Sequence, residues 1–136
     1  MIVLSDNDIR GAASALRYIL ESSDWADLSN ELDVQLVDLE DVGLYADSSD
    51  REIWSLCQAT DMVLLTADRS RGDGTESLDH VINELSNDQS LPVITIGTPD
   101  RVIRDRNYAL ECAFHLLDYL SRMDGLRGTR RLYLPP

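Results

Sequence analysis

With 136 residues, 43% of them hydrophobic and 27% charged, the chain can bury one proper core, and disorder is excluded as its default state. A formal net charge of −13 and a pI near 4.3 disfavour unaided binding to nucleic-acid phosphates. No apolar run approaches the roughly 18–20 residues needed to cross a bilayer, so no membrane span is expected.

Met1 to Asp6 has neither the basic start nor the small-residue cleavage site of a secretory leader. Its Ile2-Val3-Leu4 run is expected to be a buried strand. Ile9, Ala12, Ala13, Leu16, Ile19 and Leu20 then recur at helical spacing, so residues 8–22 are expected to form an amphipathic helix. Val34-Gln35-Leu36-Val37 is a second strand, followed by a loop from Leu39 to Ser48. Ser49-Asp50-Arg51-Glu52 fits a capping box, in which a serine oxygen and a glutamate close the first turn of a helix. That helix runs through Ile53, Trp54 and Cys57 to about Ala59.

Met62-Val63-Leu64-Leu65 is continuously apolar, the mark of a strand covered on both faces in a parallel sheet. A turn-like stretch from Asp68 to Gly74 leads into a helix from Thr75 to about Leu85. Pro92 to Ile96 is a fourth strand, and Ala109, Cys112, Ala113, Leu116 and Leu120 mark a last helix. Arg131-Leu132-Tyr133-Leu134 can add a short edge strand, ended by Pro135 and Pro136. The alternation predicts a single α/β domain over residues 1–136: three layers, α/β/α, around a mainly parallel sheet of four to five strands. Cys57 and Cys112 have no metal-ligand spacing and are expected to be reduced core thiols of a cytoplasmic protein.

In a right-handed βαβ sheet every helix starts at the edge where the preceding strand ends, and open α/β sheets bind their ligands there. Asp6 and Asp8 follow the first strand, and Asp50 opens the helix after the second. Asp68 follows the third strand, while Asp73 and Glu76 open the next helix. Acids distant in sequence thus converge on one rim. Clustered carboxylates repel unless a cation lies among them, and an all-oxygen set suits Mg²⁺ or Mn²⁺ rather than Zn²⁺. Such ions can hold a phosphodiester and activate a water. Helix capping accounts for Asp6, Asp50 or Asp73 singly; Asp68, straight after a buried strand, is harder to explain that way. All twelve basic residues are arginine, and seven of them fall after residue 100 against four acids. Arg101 or Arg104 from that segment is expected to steady substrate phosphates.

Three stretches are similar to the PIN-like family of metal-dependent ribonucleases, in particular the compact bacterial members grouped with toxin nucleases. They are Leu4-Ser5-Asp6-Asn7, Asp50 through Cys57, and Val63-Leu64-Leu65-Thr66-Ala67-Asp68-Arg69. Ser90 to Val93 and Gly128 to Pro135 resemble an uncharacterised subgroup with the same core, so the likeness touches most of the chain. The resemblance implies a PIN-like fold and Asp6, Asp50 and Asp68 as catalytic, metal-holding acids. It further implies RNA as substrate and a basic antitoxin as a partner. The fourth acid of better-known members has no clear match, and Asp73 and Asp8 stand for it on position alone.

Two other readings compete. Met62 to Leu65, Gly72-Asp73-Gly74 and Leu91 to Ile94 look like parts of a response-regulator receiver, yet the phospho-accepting position falls on Thr66 and the chain has no lysine. A PIN-like scaffold without chemistry, used to bind a basic protein, is the third class. His80 and His115 lack ligand spacing, no serine has an evident His–Asp partner, and Gly72-Asp73-Gly74 is too short to cradle phosphate.

Overall fold

The structure, a computed structural model, describes residues 1–67 and 77–136. Five strands form one sheet: β1 (Ile2–Ser5), β2 (Gln35–Asp38), β3 (Val63–Ala67), β4 (Val93–Ile96) and β5 (Arg131–Leu134). Their order is β2-β1-β3-β4-β5 and every pairing is parallel. The helices are α1 (Arg10–Glu21), α2 (Ala26–Glu31), α3 (Asp50–Ala59), α4 (Leu78–Leu85), α5 (Pro99–Arg104) and α6 (Arg106–Ser121).

The strand residues alternate between two cores. Val3, Val63, Leu65, Ile94, Ile96 and Leu134 pack with Leu16, Val102, Cys112 and Leu116 on the side of α1, α5 and α6. Leu4, Leu64 and Val93 pack with Ile53, Trp54, Cys57, Val81 and Ile82 on the side of α3 and α4. Burial on both faces is why Val63-Leu64-Leu65 of β3 reads as an unbroken apolar run. The expected three-layer α/β/α domain is the one observed, and the tail strand does join the sheet, parallel to β4.

The expected helix over residues 8–22 starts instead as a 3-10 turn, Asn7–Ile9, before α1 takes over at Arg10. The capping box forms as its residues dictate. Ser49 Oγ accepts from the Glu52 N–H at 3.1 Å, and the Ser49 N–H donates to Glu52 Oε1 at 3.1 Å. Helix α4 begins at Leu78 with Ser77 as its N-cap. Two short helices go beyond the sequence reading. Helix α2 is polar and buries only Ser29, so it has no apolar stripe to betray it. Helix α5 has Pro99 at its start, the one local signal for it. Among the described residues no helix is long and apolar enough to cross a membrane.

Candidate functional site

The sheet reverses its winding between β1 and β3, since β2 lies on one side of β1 and β3 to β5 on the other. The connections that leave the carboxyl ends of those two strands run to opposite faces of the sheet, to α1 after β1 and to α4 after β3, which is where open α/β sheets form a crevice. A cavity of about 670 Å³ opens at this place, lined among others by Asp6, Asp8, Asp50, Thr66, Asp79 and Arg131.

Its floor follows from side-chain alternation. On the face covered by α3 and α4, the apolar row of Leu4, Leu64 and Val93 gives way toward the strand ends to Asp6, Thr66 and Thr95. Asp6 continues the β1–β3 ladder, its N–H donating to the Leu65 carbonyl at 2.9 Å. Thr66 Oγ1 donates to Asp6 Oδ2 at 3.0 Å, and the Asn7 N–H donates to Asp6 Oδ1 at 2.7 Å. The Asp6 carboxylate is therefore held on both oxygens.

Asp50 enters from the opposite wall as the first residue of α3, placed by the Ser49–Glu52 box. Burial pushes its carboxyl above the ordinary carboxylate range, and the charges of Asp6 and Asp8 push it further. A backbone hydrogen bond from Leu78 and the charge of Arg131 act in the other direction. Asp6 and Asp50, 44 positions apart, thus feel one another across the cavity, as the placement of both at one rim anticipates. Asp8 also lines it. Asp68 and Asp73 lie outside the described residues, as do Glu76 and the Gly72-Asp73-Gly74 turn.

Arg101 and Arg104 sit on α5, and neither contributes to the cavity wall. Arg101 lies over the Tyr108 ring, 4.3 Å from its centroid, and pairs with Asp105 at 3.0 Å. Arg104 pairs loosely with Asp100 at 3.9 Å. Among the described residues the cation that does reach the cavity is Arg131 at the start of β5. Its Nη1 donates to Thr95 Oγ1 at 2.6 Å and its Nη2 to Asp79 Oδ1 at 2.5 Å. Only the alternation of the tail strand hinted at this. Leu132 and Leu134 face the core, so Arg131 and Tyr133 must take the other face.

The cavity wall offers, among the described residues, oxygen donors and no cysteine or histidine. Among the described residues no three acidic, histidine or cysteine side chains group closely enough to hold a metal ion on their own. Cys57 lies on the buried face of α3, its thiol pushed up to about 12 by burial and by Asp6, which disfavours the reactive thiolate. His80 pairs with Glu84 at 2.9 Å on the outside of α4.

Comparison with known proteins adds no assignment: no family model, no curated protein and no solved structure matches the chain.

Proposed function

We propose that the chain is a metal-dependent nuclease of PIN-like type that hydrolyses RNA phosphodiesters at the β1–β3 crevice. One observation carries the reading: Asp6 and Asp50 line the same cavity, and Asp50 bears an electrostatic cost from burial and from Asp6 and Asp8. A carboxylate kept where its charge is disfavoured is a poor structural choice but a good cation ligand.

The donor set fits a hard divalent ion, since oxygen ligands alone suit Mg²⁺ or Mn²⁺. Asp6 and Asp50 would hold it, and the family resemblance supplies Asp68 as the third acid. When bound, such an ion neutralises the carboxylates, polarises the phosphoryl group and activates a water. The protein's own part is to fix geometry. Thr66 and the Asn7 N–H lock the Asp6 carboxylate, and the α3 capping box fixes Asp50 at the far wall. No serine or cysteine nucleophile is required.

The receiver reading has the strand order in its favour, because β2-β1-β3-β4-β5 is the flavodoxin-like order. It lacks the chemistry. Its phospho-accepting position is Thr66, which is buried and already donates to Asp6, and the chain has no lysine. The acidic surface also suits a basic protein partner, such as the tail of an antitoxin, in the cytoplasm.

The test is a cleavage assay on single-stranded and structured RNA in Mn²⁺ and in EDTA, with wild type, Asp6→Asn and Asp50→Asn. Cleavage by wild type in Mn²⁺ alone supports the reading. Equal cleavage by all three proteins exposes a contaminating ribonuclease, and no cleavage alongside a metal-dependent rise in melting temperature favours the binding module.

A further inference from the structure

A cavity walled by Asp6, Asp8, Asp50 and Asp79 repels a polyanion, on a chain that already carries −13. Among the described residues Arg131 is the one cationic side chain in its wall. Its setting differs from that of the exposed surface arginines. The side chain is only 16% exposed, and its anchor, Thr95, is fully buried on the neighbouring strand. The guanidinium is thus mounted on two adjacent strands of the sheet.

Its two partners are unequal. Thr95 is a fixed neutral oxygen in the sheet. Asp79 is a charged oxygen on a half-exposed side chain, 51% accessible, in the first turn of α4. An exposed carboxylate gains little from such a pair and is readily exchanged for another oxyanion. A guanidinium has five N–H donors in a planar fork, and these two bonds use two of them. Phosphate oxygens match that fork as well as a carboxylate does.

We propose that Arg131 is the phosphate-holding residue of this cavity, and that an RNA phosphate displaces Asp79 from it. Without substrate, Asp79 occupies the donor that substrate needs and neutralises its charge. On binding, one oxyanion replaces another on Nη2 while Thr95 keeps Nη1 in place. Arg131 then contributes positive charge from the same sheet floor that carries Asp6. This rests on the reading of the cavity as a phosphodiester site.

The experiment measures fluorescence anisotropy of a fluorescein-labelled, twelve-nucleotide phosphorothioate RNA in Mn²⁺. The proteins are wild type, Arg131→Gln, Arg131→Lys, Asp79→Asn and Asp100→Asn, each checked for folding by circular dichroism. Arg131→Gln is expected to weaken binding about tenfold, and Arg131→Lys less, because lysine keeps the charge and loses the fork. Asp79→Asn is expected to tighten binding several-fold. Asp100→Asn removes the same charge from a site outside the cavity and should leave binding within twofold. If Arg131→Gln fails to fold, the contrast between Asp79→Asn and Asp100→Asn decides alone. The inference is overturned if Asp79→Asn binds no tighter than wild type, if Asp100→Asn tightens equally, or if folded Arg131→Gln binds as wild type. A melting-temperature response to Mn²⁺ that survives such a result leaves the metal reading standing and removes only the role of Arg131. Wild type that binds no RNA in Mn²⁺ removes the role outright.

Discussion

Replacing Asp50 by asparagine separates the metal reading from plain helix capping. The substitution keeps shape and a carbonyl oxygen able to accept the Leu78 backbone hydrogen bond, and removes only charge. Capping of α3 is carried by Ser49 and Glu52, so the helix start survives. What is lost is repulsion from Asp6 and Asp8 and the burial of a charge. Asp50 is only partly buried, so the relief is discounted for solvent screening to roughly 0.5–1 kcal/mol. Unfolding entropy of about 2.1 cal/mol/K per residue makes that about 2–4 °C in melting temperature for 136 residues.

In EDTA at pH 7, Asp50→Asn should therefore melt higher than wild type by that amount. The sign with pH follows from the raised carboxyl. A folded-state pKa above the ordinary 3.8 means the native protein holds the Asp50 proton more tightly than the unfolded chain. The cost is absent below the ordinary value, grows as pH rises through the raised one, and is constant above it. The advantage of Asp50→Asn over wild type should shrink accordingly as pH falls toward 4. In Mn²⁺ at a hundred times its dissociation constant, wild type should gain about 2.7 kcal/mol, roughly 9 °C on the same conversion. Asp50→Asn should gain far less. Differential scanning fluorimetry with and without Mn²⁺ reads all of this. A variant that melts lower in EDTA and responds to Mn²⁺ like wild type refutes the assignment.

Three more outcomes follow from packing. Leu65→Ala removes a side chain with no exposure from the centre of the sheet and should cost about 2–5 kcal/mol in urea unfolding, with the slope unchanged. Gly128 has φ +88° and an added Cβ would lie 3.1 Å from the Asp88 carbonyl oxygen, so Gly128→Ala should cost more than about 1 kcal/mol in the same experiment. The buried Cys57 thiol, pushed up to about 12, should not react with a thiol-specific disulfide reagent in native protein at pH 8. It should react at once in 6 M guanidinium, and native-state labelling of Cys57 would contradict the packing of α3 against the sheet.

The layers of the fold were legible because they rest on local rules. The unbroken apolar run of Met62 to Leu65 matches a strand covered on both faces, and a serine three residues before Glu52 matches a capped helix start. Asp6 and Asp50 were placed on one rim by the handedness of βαβ crossovers, which needs no contact information. Helices α2 and α5 escaped because six residues carry too little period to stand out from a loop.

The arginine was a different matter. Seven arginines after residue 100 look alike in sequence, and charge alone pointed to Arg101 and Arg104. Whether one reaches the acids depends on which strand lies beside β4 and on which face its side chain emerges. Those are decided when Leu132 and Leu134 bury against α6 and its neighbours, which turns Arg131 toward Thr95 and Asp79. Periodicity is a property of neighbours along the chain and could be read directly. The contacts of Arg131 join positions 36 and 52 residues apart, and only packing of the whole sheet brings them together.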